Sequence, residues 1–337
     1  MYMSKEGDPN KALREAASQT AFVSLSEGNF NNQLLPSTIA KLGESASRSF
    51  FSFFVDNIRN KNTRDAYLRA ANRFFDWCEL RGLQFGQIRS FHVSAYIEEL
   101  GLSLAISSVK QNLAALRMLF DWLMVRQVCS ENPCHAVRGP RLRVDTGKTP
   151  VLDEAEAKQL LNAIDGTDLV SLRDRALIAL MIYSFARISA ALSMDVSDYS
   201  PRGRRMWIQL KEKGGRQHSM PCHHKLEEYL DAYVNQAEVS DGPLFRSAKG
   251  RTGVLTNKRL CRTNAFDAVQ RRARRAGIRT PICPHTFRAT GITNYLINSG
   301  SLEVAQRMAA HADARTTKLY DRRNEQVSLD EIERITI

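Results

Sequence analysis

A histidine and an arginine stand three residues apart in Pro284-His285-Thr286-Phe287-Arg288, another histidine ends Ala309-Ala310-His311, and Tyr320 follows nine residues later. On a helix, a spacing of three sets His285 and Arg288 on one face. Upstream lie Arg187, in Ser184-Phe185-Ala186-Arg187-Ile188-Ser189, and Lys213, in Lys213-Gly214-Gly215-Arg216. Singly each is weak, since a lone histidine is more often structural and a tyrosine late in a chain usually packs. Together they are residue types that suit attack on a phosphodiester. Such an ester is very slow to cleave, so a site must stabilise negative charge spread over the phosphate oxygens. A guanidinium holds two oxygens in a fixed fork, which suits Arg187 and Arg288. A phenol attacks as its phenolate, and with an ordinary pKa of about 10 it needs help at neutral pH. His285 is the candidate acceptor of that proton, and nearby arginines would lower the phenol pKa further. The leaving oxygen needs a proton in turn. A lysine on a hairpin beside two arginines would have its pKa pushed down towards a useful general acid. Lys213, which directly precedes Gly214-Gly215, is the candidate, with Lys211 on the same strand face as runner-up. No step calls for a metal, and no cofactor is expected.

The rest of the chain is consistent with an anionic partner. Its 337 residues leave room for two hydrophobic cores, and 48 Lys and Arg against 36 Asp and Glu give a formal net charge of +12. Nucleic acid is the common partner of so basic a chain. No run of roughly 18 apolar residues occurs, so no membrane span is expected. The first thirty residues mix Lys5, Glu6, Asp8, Lys11, Arg14 and Glu15 with polar residues and lack an apolar core segment. A cytoplasmic, nucleoid-associated protein is therefore expected. The six cysteines are scattered without a CxxC pair and read as reduced thiols. Cys222-His223-His224 is the densest metal-like cluster. Adjacent histidines on a strand end should point in opposite directions, so no metal site is expected there.

The elements that must position these groups fall into segments. Residues 1–45 are polar with weak periodicity and read as a mobile arm with one short helix at Lys11 to Ala17. Residues 46–139 carry helical stripes: Tyr67, Ala71, Phe74 and Cys78 behind an N-cap in Asn62-Thr63; Val93, Ile97 and Leu100 ending at Gly101; and Val109, Leu113, Leu116, Phe120 and Leu123. They predict a small helical bundle ended by Asn132-Pro133. Residues 140–150 hold Gly, Pro and basic side chains without periodicity and read as a linker. In residues 151–337, Asp153 and Glu156 form a capping-box pattern, and Leu172, Ala176, Leu177, Leu180 and Tyr183 form a stripe leading to Arg187. Two alternating runs flank Gly214-Gly215, which predicts a β-hairpin. Phe266, Val269, Ala273 and Ala276, then Ile292 and Leu296, then Leu302, Ala305 and Met308 predict further helices. Basic residues placed to meet phosphates are Lys110, Arg117 and Arg126 in the bundle, Arg141 and Arg143 in the linker, and Arg271, Arg272, Arg274, Arg275 and Arg279 before His285. A solvated face is the alternative for those in the bundle and for the cluster before His285, while the linker's basicity suits a strap across a phosphate backbone.

The order and spacing of these groups resemble the tyrosine recombinase (phage integrase) family, whose late signature is His-x-x-Arg, then Gly-His, then Tyr. Arg187 and its neighbours resemble that family's first arginine box, and Lys213-Gly214-Gly215-Arg216 resembles its β-hairpin lysine. Asn62-Thr63-Arg64-Asp65-Ala66-Tyr67 and the helix ending at Asn132-Pro133 resemble its DNA-clamping domain. The likeness spans roughly residues 50 to 325. It implies a mainly α fold, with a helical core-binding bundle followed by a mostly helical catalytic domain holding a small antiparallel sheet. It implies a site-specific recombinase or integrase of a bacterial chromosome or mobile element. Such an enzyme cleaves and rejoins double-stranded DNA through a 3′-phosphotyrosine, without metal or ATP. His311 would then hydrogen-bond the scissile phosphate. The implied partners are DNA with an inverted-repeat core site and further copies of the chain, as a tetramer exchanging strands in pairs. Val327, Leu329, Ile332 and Ile335 suit a tail helix, which in the family docks on a neighbouring protomer; packing on its own domain is the alternative. A type IB topoisomerase shares the chemistry, but the clamp motif favours a recombinase. A DNA-binding regulator without chemistry is disfavoured by the intact set of six residues. Three positions depart from the family: Ala190 stands where many members carry an acid that braces basic groups, and Phe185 and Ala310 replace frequent glycines.

Overall fold

A computed structural model of the chain describes residues 35–141, 147, 149–164, 166, 168–212, 215–250, 252–322 and 332–335. The chain divides into two units, Met1–Arg143 and Val144–Ile337. Among the described residues, every regular element of the first is helical. After a helical turn at Ser37–Ala40 come α1 (Glu44–Ser52), α2 (Lys61–Leu80), α3 (Ser90–Ser103) and α4 (Ile106–Val125). The cap of α2 is Asn60, whose side chain accepts from Thr63 N at 3.2 Å, and not the expected Asn62-Thr63 pair, which lies inside the first turn. The helix ends as the spacing predicts, with Gly82 in the left-handed region at φ +66°. Helix α3 runs on through Gly101 to Ser103. The stripes meet in one core of Phe50, Phe53, Phe74, Phe75, Val93, Leu116 and Phe120, each at most 1% exposed. Edge-to-face pairs such as Phe74 with Tyr96, 5.0 Å between centroids, suit aromatic packing. Asn132 ties the following turn back by donating to Arg117 O and Asp121 Oδ1 at 2.9 and 2.8 Å.

The second unit is also mainly helical, with small antiparallel sheets. Helix α5 (Glu154–Asn162) is capped by Asp153, which accepts from Glu156 N at 2.7 Å. The Glu156 side chain does not close the box; its carboxylate accepts from Thr280 Oγ1 instead. Helix α6 (Leu169–Tyr183) is buried almost all round, and α7 (Ile188–Ser193) follows directly after Arg187. The predicted hairpin is present as β2 (Arg205–Lys211) paired with β3 (Gln217–Pro221), Lys211 opposite Gln217. An unforeseen strand, β1 (Tyr199–Arg202), pairs with the other edge of β2. Then come α8 (His224–Gln236), a second unforeseen pair β4 (Arg246–Ala248) and β5 (Leu255–Arg259), and α9 (Arg262–Arg275), α10 (Pro284–Ile297), α11 (Leu302–Met308) and α12 (Ala314–Lys318). Two apolar clusters organise this unit. The larger centres on α6; the smaller joins Phe185, Ala289, Ile292, Leu296, Ala305 and Ala309 to Tyr320 itself. The stripe on α9 faces the core through Ala265, Ala268, Val269 and Ala273, while Phe266, expected inside, is 42% exposed. The expected Lys11–Ala17 helix and the tail residues Val327 and Leu329 lie outside the described residues.

Cysteine and histidine roles are local. Cys78, Cys134 and Cys222 are buried, and desolvation pushes each thiol up to about 12, so they are unreactive at neutral pH. His223 caps α8 by accepting from Lys225 N at 3.2 Å, and its ring stacks on Tyr183. The rings of His223 and His224 also stack, centroids 4.3 Å apart, and so do not diverge as expected. Among the described residues no group of three or more His, Cys, Asp or Glu is arranged to hold a metal ion, and no helix is long and apolar enough to cross a membrane.

Candidate active site

Helix α10 begins with Pro284 at its first turn, which its fixed φ suits, and presents His285 and Arg288 from the same face. Arg187 caps α7, one residue beyond Ala186. Tyr320 comes just after α12, where Thr293 Oγ1 donates to its carbonyl at 3.1 Å. Its flank is held on both sides: Gly147 N donates to Leu319 O at 2.9 Å, and Arg322 Nη2 donates to Thr149 O at 3.0 Å. The backbone of Gly147 comes so close to Leu319 that a Cβ there would lie 2.7 Å from its carbonyl oxygen.

His311 is delivered by the way α11 ends. Ala310 N bonds to Arg307 O and His311 N to Gln306 O, the paired reverse bonds of a helix terminus that turns through a left-handed residue. That residue is Ala310, at φ +47°. His311 Nδ1 then pairs with the buried Thr317 Oγ1 at 2.8 Å. Its ring lies parallel to that of Tyr320, at 8° and 5.9 Å between centroids.

The hydroxyl of Tyr320 and Nε2 of His285 are 2.7 Å apart. Burial pushes the phenol above its ordinary value, and Arg288 and Arg187 pull it back only in part. The expected lowering by arginines is therefore present but outweighed by desolvation. His285 is held below the ordinary imidazole value by burial first, then Arg288 and Arg187. His311 is driven down to about 3, again by burial first and then by the same two arginines and His285. Near neutral pH the site thus holds a protonated phenol against a neutral imidazole, which is the resting state a proton transfer from Tyr320 to His285 requires.

Arg288 is fully buried. One Nη donates to Phe185 O and the other to Ala309 O, while Nε has no partner among the described residues. Burial, with Arg187 second, brings it down to about 10, which leaves it charged at neutral pH. Arg187 keeps 31% of its side chain exposed and pairs through Nη1 with Glu212 Oε2. Arg187, His285, Arg288, His311 and Tyr320 are thus brought to one place by α7, α10, α11 and α12. Lys213 lies outside the described residues. Lys211, its runner-up, sits at the end of β2 with Nζ 3.4 Å from Asp198 Oδ2.

Sequence reasoning missed Glu212, Thr293 and Thr317. Glu212 could have been noticed as the one acid in Lys211-Glu212-Lys213-Gly214-Gly215-Arg216; the threonines carry no sequence signal. The basic residues singled out for phosphate contact have different fates. Lys110, Arg141, Arg271, Arg274 and Arg275 are exposed. Arg117 directs its guanidinium to the carbonyls of Cys134 and Val137. Arg272 donates to the buried Asp174 at 3.0 Å, beside Arg173, and so ties α9 to α6. Arg143 lies outside the described residues. A groove beside α9 is lined by Arg173, Arg271, Arg272, Arg275, Asn264 and Asp267, among others.

Comparison with known proteins agrees in both halves. Residues 150–327 match the phage integrase family, and residues 54–129 match the phage integrase N-terminal SAM-like domain. Tyrosine recombinase XerD of Chlorobaculum tepidum is 26% identical over 267 residues, covering 77% of this chain and 85% of the relative. Tyrosine recombinase XerC of Azotobacter vinelandii is 28% identical over 280 residues, covering 79% and 89%. In fold, a lambda integrase dimer bound to a COC' core site superposes with a TM-score of 0.65 at 16% identity, covering 95% of this chain and 89% of that one. XerH site-specific recombinase in a post-cleavage complex with palindromic difH substrate gives 0.63 at 19%, covering 76% and 75%.

Proposed function

This chain belongs to the phage integrase family of tyrosine recombinases, enzymes that break and rejoin DNA in site-specific recombination by way of a tyrosine intermediate, and on that premise we propose a role for each residue of the site. Tyr320 Oη attacks the scissile phosphorus as its proton passes to His285 Nε2. The bond from phosphorus to the 5′-oxygen breaks, that oxygen takes a proton from Lys213, and a 3′-phosphotyrosine remains. Religation runs the same steps in reverse with an incoming 5′-hydroxyl, so the energy of the ester is conserved and no external energy source enters the balance. Arg187 and Arg288 hold the non-bridging oxygens, each worth about 3–4 kcal/mol if it acts as a typical oxyanion donor in the transition state. His311 donates to the same phosphate. The single observation that carries this reading is the 2.7 Å contact between Tyr320 Oη and a His285 kept neutral beside two guanidiniums.

The reading extends to partners. The substrate is double-stranded DNA with an inverted-repeat core site, met by the exposed Lys110, Arg141, Arg271, Arg274 and Arg275. Residues 46–139 form the core-binding domain, 140–150 the linker and 151–337 the catalytic domain and its tail. Four protomers exchange strands in pairs, the tail docking on a neighbour, in the cytoplasm at the nucleoid. The target lies on a bacterial chromosome or a mobile element, and a lambda integrase tetramer bound to a Holliday junction shares the fold. A duplex nicked next to the scissile phosphate, so that the cleaved fragment diffuses away, tests the central step. The wild-type chain is expected to form a covalent DNA adduct and Tyr320→Phe to form none; an adduct in both, or in neither, overturns the assignment.

A further inference from the structure

Glu212 is an acid in a strongly basic turn, yet its side chain is only 3% exposed. Burying a carboxylate is unfavourable unless positive charge meets it. Here two do: Oε2 pairs with Arg187 Nη1, and Oε1 lies 3.9 Å from Arg288 Nη1. Among the described residues it is the one carboxylate paired with either guanidinium. Ala190, one helical turn beyond Arg187 and 2% exposed, offers none.

We infer that Glu212 is a positioning residue: it acts as the shared counter-ion that holds the Arg187 and Arg288 guanidiniums side by side so that both engage the scissile phosphate. The inference rests on the reading of those arginines as phosphate ligands. Two guanidiniums facing one small site repel, and without a carboxylate between them Arg187, the exposed member, swings to solvent. Glu212 leaves most of the fork free, because its close pairing uses one N–H of the five on Arg187. Its own backbone is fixed on both sides of the turn, since Glu212 N donates to Arg216 O at 2.8 Å and Gly215 N donates to Glu212 O at 3.2 Å. The strand end that leads into Lys213 is therefore anchored to the arginine pair through a single side chain. The carboxylate comes from the hairpin, not from α7, so the hairpin performs a task for which α7 has no acid.

The test uses the full chain and two nicked duplexes bearing a core site selected by covalent capture from random duplexes. They differ only at the scissile position, one an ordinary phosphate and the other a methylphosphonate, which carries no negative charge. Single-turnover cleavage and DNA affinity are measured for the wild type, Glu212→Gln and Glu212→Asp. If Glu212 acts through the arginines' grip on a charged phosphate, Glu212→Gln loses about 10- to 100-fold in cleavage of the phosphate but less than about threefold on the methylphosphonate. Affinity is unchanged, and Glu212→Asp, which keeps the charge, recovers part of the loss. An equal loss on both substrates, or none on the phosphate, overturns the inference. Should Glu212→Gln not fold, a preferential loss on the phosphate in Glu212→Asp supports the inference and a uniform one overturns it. If the wild type forms no adduct, the proposed function itself has failed, which is a distinct result.

Discussion

Phe185 and Arg288 are joined across 103 residues of chain by a hydrogen bond from the buried guanidinium to the Phe185 carbonyl, and Phe185 sits in the left-handed region at φ +57°. The second carbonyl that holds Arg288 belongs to Ala309, next to Ala310 at φ +47°. Both left-handed residues stand where the family often has glycine. The chain thus carries backbone strain at the two turns that seat the buried Arg288, a common way for functional sites to be built.

That strain is measurable at Ala310, whose side chain contributes little packing. A left-handed alanine costs about 1–2 kcal/mol, and glycine gives back about 0.5–1 kcal/mol through the unfolded chain. Ala310→Gly is therefore expected to stabilise the second unit by up to about 1 kcal/mol, raising its thermal midpoint by about 2–4 °C. Calorimetry checks this; an unchanged or lower midpoint contradicts it. Phe185→Gly should not stabilise, because Phe185 is 3% exposed within the cluster around Tyr320.

A second prediction concerns Asp174, which is 2% exposed and accepts from both Arg173 and Arg272. Asp174→Ala leaves two largely buried guanidiniums unpaired and should destabilise by about 3–5 kcal/mol in urea unfolding. The same geometry separates the basic residues of α9. Arg272→Ala should lower stability, whereas Arg271→Ala and Arg275→Ala should leave stability alone and each reduce the salt dependence of DNA binding by about one ion.

These contrasts show what the sequence made legible. The three-residue step from His285 to Arg288 survives because both lie on one helix, and the Gly214-Gly215 hairpin follows from alternation on either side. Asp153 was readable as a cap. By contrast, Phe266 lies one position off the true stripe of α9, and a 3.6-residue period read from four apolar residues cannot exclude that shift. Arg272 looked like its basic neighbours because its partner Asp174 is 98 residues away. Glu212 was visible only as a lone acid in a basic turn; its burial depends on Arg187 and Arg288, which only the tertiary fold brings near.

Cleavage should have a shifted acid limb. His285 must be neutral to accept the phenol proton, and its folded value lies below the ordinary one of about 6.5. With a substrate whose leaving group is a 5′-bridging thiolate, which needs no proton, the rate should hold level from neutral pH down past about 6.5 and fall only at lower pH. A midpoint at or above the ordinary value contradicts the depressed His285. His311 gives a matching stability effect. Its folded value, about 3, lies below its unfolded one, so the unfolded chain binds more protons between them and stability falls as pH drops through that window. The stability advantage of the wild type over His311→Asn should shrink by about 1.4 kcal/mol per pH unit there, as read by urea unfolding.

The choice between lysines has its own signature. Lys213→Ala should block cleavage of ordinary DNA and regain it on the 5′-bridging phosphorothiolate, because a thiolate leaves unprotonated. Lys211, tethered to Asp198, should show no such rescue. The opposite pattern moves the general acid two residues back along the strand.

The most direct measurement of all is to find which residue carries the DNA. The chain has nine tyrosines, and only one should ever be linked to a nucleotide. A covalent adduct trapped on a nicked duplex, digested with protease and nuclease and sequenced by mass spectrometry, should yield a nucleotide-bearing peptide modified at Tyr320. A modified peptide containing any other residue, or a trapped adduct that persists in Tyr320→Phe, would contradict the assignment of Tyr320 as the nucleophile.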